Sequence, residues 1–333
     1  MIGACREGVA VLGIGSFAPE RVITNDELAA LVETSDEWIA SRTGIRERRV
    51  ASDDESASDL GLAAARRALE DAAITADQLD LIVVATSSPD WYFPATACLI
   101  GDRLGAAGVP GYDLSAACTG FVFALAQAYT QVASGLADTV LVVGTEVFSR
   151  LLDWTDRSTC VLFGDGAGAV VVGRSAGRSG LLGFELGSDG SGADMLRVAA
   201  AGHRPQPPAG RFVEMDGPPV YKFATTVAVD SAVRVLAAAG LSVSVVDLFV
   251  PHQANRRIID HAAKRLGIPE HKVLTNVDRY GNTSAASIPI CLDEAYRAGR
   301  VGRGDIVLMV GFGGGLSWGS CVMEWTRHVE DQR

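Results

Sequence analysis

Asp138-Thr139-Val140-Leu141-Val142-Val143-Gly144 returns 167 residues later as Asp305-Ile306-Val307-Leu308-Met309-Val310-Gly311. At the same offset Leu79-Asp80-Leu81-Ile82-Val83 becomes Val246-Asp247-Leu248-Phe249-Val250, and Arg67-Ala68-Leu69 becomes Arg234-Val235-Leu236. Between these pairs the spacing reads as slipped to 169, setting Ser115-Ala116-Ala117-Cys118 against Ser284-Ala285-Ala286-Ser287. A period of half a 333-residue chain marks a duplicated fold, not a short solenoid repeat. The polar residues break the symmetry. Cys118 stands opposite Ser287 in that register, while His252 and Asn282 occur only in the second copy. An active site at the join of a pseudo-dimer has this pattern, a symmetric scaffold with asymmetric chemistry.

Around the repeated strands each half alternates helices with near-continuous apolar runs. Residues 56–73 and 119–133 read as helices, the second apolar nearly all round and therefore buried. Residues 79–85 and 140–143 read as strands covered on both faces, and residues 160–172 as two more, divided by Gly164-Asp165-Gly166-Ala167-Gly168. In the second half, helices are expected at 220–239, 256–266 and 284–298, and strands at 246–250, 273–277, 306–310 and 318–324. Alternation with buried strands implies an α/β fold with mostly parallel sheets. The duplication implies two sheets, with the helices after Cys118 and Ser284 packed between them. We divide the chain into residues 1–175, carrying Cys118, and 176–333, carrying His252 and Asn282. The Pro- and Gly-rich stretch 201–217 reads as a surface excursion. The glycine run 164–168 lies between strands, so it reads as close packing and not as a phosphate loop.

Composition narrows the classes. The chain is 48% hydrophobic and 21% charged, ordinary for a globular protein. A net charge of −11 argues against nucleic acid and anionic membranes as partners. No apolar stretch approaches the roughly 18 residues of a membrane span, and Met1 to Arg6 lack the order of a signal peptide, so a cytoplasmic protein is expected. Cys5, Cys98, Cys118, Cys160, Cys291 and Cys321 form no C-x-x-C pair. Neither a disulfide framework nor a metal site is expected, and five of the six read as buried thiols.

Cys118 is the exception by position, at a strand-to-helix junction where unpaired N–H groups and the helix dipole favour a thiolate. Taken alone, a buried structural cysteine fits as well; the repeat tilts the reading, since Ser287 occupies the matching place without sulfur. His252 follows its strand in Pro251-His252-Gln253-Ala254-Asn255, at the strand end where α/β sheets gather ligands. Asn282 lies in Tyr280-Gly281-Asn282-Thr283-Ser284, where capping or turn chemistry is the plain alternative. Together they place one thiol and two hydrogen-bonding groups at corresponding ends of the two halves. Arg257, His261, Lys264 and Arg265 fall on one helical face, opposite Ile258, Ile259, Ala262 and Leu266.

With these residues the chain resembles the thiolase-like condensing enzymes, and within them the β-ketoacyl-acyl-carrier-protein synthase III family. The resemblance runs from Gly13-Ile14-Gly15 to near Glu324. It rests on Thr34-Ser35-Asp36-Glu37-Trp38-Ile39, Arg42-Thr43-Gly44-Ile45-Arg46, Ala116-Ala117-Cys118-Thr119-Gly120-Phe121, Phe163 to Gly168, Pro251 to Asn255, Gly281 to Ser287 and Phe312-Gly313-Gly314-Gly315. A Cys, His, Asn set differs from thiolases, which carry a second catalytic cysteine, and from elongating synthases, which carry two histidines.

The resemblance implies a duplicated five-layer αβαβα fold, with two mixed sheets around buried central helices. It implies an initiating condensation in type II fatty acid synthesis, between a short acyl-CoA and malonyl-acyl-carrier protein, run by a homodimer without cofactor or metal. Cys118 would take the acyl group, with the backbone amides of Cys118 and Gly315 as oxyanion hole, and His252 and Asn282 would stabilise the malonyl enolate. Trp38 and Arg157 resemble the adenine sandwich, Arg42 a phosphate contact and Asn255 a further CoA contact. Phe93, Phe148, Phe163 and Phe312 would line the acyl pocket, Phe93 from across the dimer, although the extra Trp91-Tyr92 leaves open which of the three closes it. Gln253, Arg256, Arg257, Lys264 and Arg265 would receive the acidic carrier. The rivals are a type III polyketide synthase, a condensing enzyme of secondary metabolism with an unusual primer, and a silent partner subunit. Retention of Cys118, His252 and Asn282 argues against the last.

Overall fold

The computed structural model describes residues 1–175, 180–199 and 212–327. The first sheet has the order Val9–Phe17, Gly166–Arg174, Thr139–Glu146, Leu81–Ala85, Gly111–Leu114. The second has the order Ile2–Ala4, Leu181–Ser188, Ser317–Glu324, Ile306–Gly313, Leu248–Pro251. Alternate residues of each repeated strand serve different layers. Val140, Val142, Val307 and Met309 face the space between the sheets, while Leu141 and Val143 face the outer helix Ala57–Ala72. Leu308 and Val310 face the outer helices Gly217–Ala238 and Arg256–Leu266. Between the sheets lie the helices Gly120–Ser134 and Ser287–Arg297, whose Phe121, Leu125, Ile288 and Leu292 share one core with both sheets. The five layers expected from the resemblance are present.

The sheets are mixed and not mostly parallel. Leu81–Ala85 runs parallel to both neighbours, and Leu248–Pro251 parallel to Ile306–Gly313, but the other pairings are antiparallel. Antiparallel strands buried on both faces read as the same apolar runs as parallel ones, so apolarity alone misleads about direction. Residues 160–162 form turns, Phe163 makes an isolated bridge to Asn282, and the glycine run leads directly into the single strand Gly166–Arg174. Expected strand 273–277 shrinks to one bridge from Val273 to Phe249, followed by the helical turn Val277–Tyr280. Ile2–Ala4 adds to the second sheet, so the first residues of the chain cross the boundary drawn at 175/176. Of the expected surface excursion, residues 201–211 lie outside the described residues, and Val213–Met215 pairs with Leu196–Val198. Cys98 is exposed and Cys5 half-buried, leaving Cys160, Cys291 and Cys321 as the buried thiols besides Cys118. Among the described residues no helix is long and apolar enough to cross a membrane.

The backbone also corrects the register of the repeat. Short 3₁₀ turns at Ala117–Thr119 and Ser284–Ala286 lead into helices that start at Gly120 and Ser287, and Ala117 and Ser284 share a left-handed φ of 46° and 47°. The spacing never slips from that of the strands. Cys118 therefore corresponds to Ala285, and Ser287 to Gly120. The slip followed the letters Ser-Ala-Ala, not the turn that those residues build.

Two glycines hold the halves together. A Cβ on Gly144 would lie 2.5 Å from the carbonyl oxygen of Ala285, and one on Gly311 would lie 3.2 Å from Thr119 Cα. Each half's strand thus receives the other half's turn at backbone distance. Gly144→Ala should cost roughly 1–3 kcal/mol by overpacking against rigid backbone. Thermal unfolding checks this, with Gly190→Ala as control, since nothing lies within 4 Å of a Cβ there. Equal melting temperatures for the two variants would contradict the account.

Candidate active site

Cys118 sits in the 3₁₀ turn before its helix, buried to 5% exposure. The turn is wedged against Gly313, where a Cβ would approach Cys118 Cβ to 2.9 Å and Sγ to 3.3 Å. Two cavities meet at this thiol. An outer one of about 400 Å³ carries Trp38, Arg42, Arg157, Asn255, His252 and Asn282 on its walls. An inner one of about 610 Å³ is lined by Phe148, Phe163, Leu196 and Gly315 among others. The fold therefore brings together all three residues singled out for chemistry, although they lie far apart in sequence.

Each polar group is oriented by its far end. His252 continues the parallel ladder by donating its N–H to Val310 O (2.8 Å), and its Nδ1 meets Ser287 Oγ at 2.7 Å. That leaves Nε2 for the outer cavity. Asn282 Oδ1 accepts from Ser284 N–H at 2.9 Å, which turns Nδ2 away as a donor. Phe312 packs edge-on to the His252 ring, centroids 5.3 Å apart, on the outer cavity. It was expected in the acyl pocket; its place beside the imidazole moves it to the other side of the thiol. Phe148 and Phe163 stack at 4.8 Å on the inner cavity. Phe93 is 86% exposed and lines neither cavity of its own chain.

Burial disfavours charge on each titratable group beside the thiol. Burial pushes the Cys118 thiol up to about 12, with the Ser284 hydroxyl opposing and the Glu146 carboxylate adding to the rise. This reverses the expectation of a low thiol pKa at a helix start: desolvation of the anion outweighs the donors that favour it. Burial pushes His252 down to about 3, so its imidazole is neutral. Glu146 is fully buried, and burial raises it to about 7 against hydrogen bonds from Ser88 Oγ (2.6 Å), Ser87 N–H (3.0 Å) and Ser284 Oγ (2.9 Å). Sequence reasoning passed over Glu146; its signal was an acidic residue closing an otherwise apolar strand.

At the mouth of the outer cavity, the guanidiniums of Arg157 and Arg42 lie over the Trp38 ring at 5.0 and 5.9 Å. Asn255 caps helix Arg256–Leu266 through Arg257 N–H and donates to Arg42 O (3.1 Å), fixing the loop beneath that pair. Of the expected carrier-docking residues, Arg257, Lys264 and Arg265 are exposed. Gln253 is not. It is buried, donating to Pro251 O and accepting from Asn276 N–H, because the strand end it follows lies inside the fold. Arg256 is half-buried and neutralised by Asp260 and Glu270. Among the described residues no cluster of His, Cys, Asp and Glu has the makings of a metal site.

Residues 112–190 match the family described as 3-oxoacyl-[acyl-carrier-protein (ACP)] synthase III, and residues 236–325 match its C-terminal region. The β-ketoacyl-[acyl-carrier-protein] synthase III of Desulfitobacterium hafniense is 49% identical over 325 residues, covering 96% of this chain and 98% of that protein. The chain belongs to the β-ketoacyl-acyl-carrier-protein synthase III family. The crystal structure of the synthase III from Thermus thermophilus superposes with a TM-score of 0.91 at 48% identity, covering 95% of this chain and 99% of the other. The priming β-ketosynthase of the R1128 polyketide pathway superposes equally well, at 0.91 and 42% identity over 97% of each chain. Members of the synthase III family are condensing acyltransferases of fatty acid synthesis, and this chain is one of them.

The depressed His252 has a consequence for stability. Between its ordinary 6.5 and about 3, the unfolded chain binds a proton that the folded chain does not, so stability falls as pH drops through that window. In His252→Ala the unfolding free energy should depend less steeply on pH over the same range. Identical slopes would mean that His252 ionises normally inside the fold.

Proposed function

We propose that Cys118 takes an acyl group from a short acyl-CoA, acetyl-CoA first among them, and that the resulting thioester is attacked by the enolate of decarboxylating malonyl-acyl-carrier protein. The observation that carries this reading is the pair of uncommitted donors, His252 Nε2 and Asn282 Nδ2, on the cavity that ends at the thiol. In the first step the Cys118 S–C bond forms, the CoA S–C bond breaks, and the thiol proton ends on the departing CoA sulfur. The backbone amides of Cys118 and Gly315 hold the oxyanion. In the second step CO2 leaves the malonyl group, and the charge developing on its thioester oxygen is met by His252 and Asn282. The carbanion then displaces Cys118 as a thiolate, which regains its proton from solvent, and a 3-oxoacyl-carrier protein is released. No step is routed through a metal or cofactor. A nucleophile that must stay reduced suits the cytoplasm.

The outer cavity suits CoA, with adenine slipping between Trp38 and Arg157 and phosphate beside Arg42. The exposed Arg257, Lys264 and Arg265 suit an acidic carrier, now without Gln253 and with Arg256 spoken for. The exposed Trp91, Tyr92 and Phe93, together with Tyr112 on the edge strand Gly111–Leu114, support a homodimer in which an aromatic side chain closes the partner's acyl cavity. With Phe148 already narrowing that cavity, primers up to about four carbons are expected, since each forced methylene costs on the order of 1 kcal/mol.

Intact-mass spectrometry after mixing with acetyl-CoA should show one added acetyl group, absent in Cys118→Ala. An adduct surviving that substitution would sink the assignment. His252→Ala and Asn282→Ala should keep acylation but lose roughly 100- to 1,000-fold in malonyl decarboxylation. Wild-type decarboxylation in both variants would remove the division of labour. Phe93→Thr should admit longer acyl-CoA; robust wild-type turnover of dodecanoyl-CoA, or a monomer by sedimentation, would overturn the pocket and dimer readings.

A further inference from the structure

The corrected register exposes a pairing that the repeat conceals. In the first half the helix after the turn opens with Gly120, where a Cβ would lie 2.9 Å from Ala85 Cβ. The equivalent pair in the second half is Ser287 and His252. Where one half packs hydrogen against methyl, the other sets a hydroxyl 2.7 Å from an imidazole nitrogen. Both partners of that hydrogen bond are buried to 1% exposure.

The hydroxyl's remaining contacts decide which way the hydrogen bond runs. Ser287 Oγ has two neighbours within hydrogen-bond reach among the described residues: His252 Nδ1 and the backbone N–H of Gln253, at 3.4 Å. The amide is a donor and claims a lone pair of the serine oxygen. If Nδ1 also carried its hydrogen, the Ser287 O–H would face two donors and be left without an acceptor in a dry site, a costly arrangement. The bookkeeping closes only when the serine donates and Nδ1 accepts. A neutral imidazole carries one hydrogen, which then resides on Nε2. Among the described residues no charged side chain hydrogen-bonds the ring to impose the other tautomer.

We propose that Ser287 is a positioning residue that donates to His252 Nδ1 and thereby holds the imidazole as its Nε2–H tautomer, the form able to donate to a thioester enolate. The inference rests on the enolate role given to His252 above, but the tautomer is measurable without it. Ser287 lines neither cavity at the thiol; it acts through the ring it orients. The same tautomer denies Nε2 the capacity to accept the Cys118 proton, which agrees with that proton leaving on the CoA sulfur.

Nitrogen-15 NMR of histidine-labelled protein reads the tautomer directly, with the His252 signals among the five histidines identified by their loss in His252→Ala. The wild type should show a single Nε2–H tautomer. Ser287→Ala, which removes one atom, should show a mixture or the Nδ1–H form. In the same variant, malonyl-thioester decarboxylation should fall on the order of tenfold or more, while Cys118 acylation by acyl-CoA is unchanged. Ser287→Thr, which keeps the hydroxyl, should restore both the tautomer and the rate. A pure Nε2–H tautomer in Ser287→Ala, or acylation and decarboxylation falling together, would overturn the proposal. If instead His252→Ala itself decarboxylated at the wild-type rate, the enolate role would fail while the tautomer result stood.

Discussion

Everything in the site depends on backbone-to-backbone contact at the join of the two halves. Gly144 admits the Ala285 carbonyl and Gly311 admits the turn at Thr119, so each strand bears directly on the other half's turn. No side chain intervenes to loosen the fit. Because Cys118 lies in one of those turns and Asn282 just before the other, the two glycines set the distance between nucleophile and donor. Gly313 tightens the same contact against Cys118 itself. Left-handed backbone at Ala117 and Ser284 is the local strain that lets each turn enter.

Burial at that join determines the electrostatics. The thiol is pushed up, the imidazole pushed down and Glu146 lifted to about 7, each for the same reason: water is excluded and charge is expensive. A resting site held near neutrality keeps its strongest response for charge that appears during the reaction, where fixed donors count for most. Glu146 ties the pieces together. Its carboxylate gathers Ser87 from the wall of the inner cavity and Ser284 from the turn next to Asn282. A change of its protonation would therefore be felt on both sides of Cys118.

The pseudo-symmetry holds in the backbone of the paired strands and turns at the join and is broken there in side chains. Ala85 and Gly120 in one half become His252 and Ser287 in the other, and Cys118 becomes Ala285. Each half thus supplies what the other lacks: a nucleophile on one turn, and an oriented pair of donors on the mirrored elements. The mirrored end of the first half is instead filled by tight apolar packing.

The sequence by itself determined the duplication, the α/β layers and the three chemical residues, because a buried strand must be apolar throughout and a motif's letters survive translation into any register. It also determined the basic face of helix Arg256–Leu266, whose 3.6-residue period is a local property. Strand direction was beyond it, since parallel and antiparallel strands buried on both faces carry the same letters. So were the register between the turns, the loss of Gln253 to the interior, the move of Phe312 to the imidazole, and the pairing of Ser287 with His252. These depend on which backbone reaches which across the join, and on how little water remains there. Only the packed tertiary structure decides that.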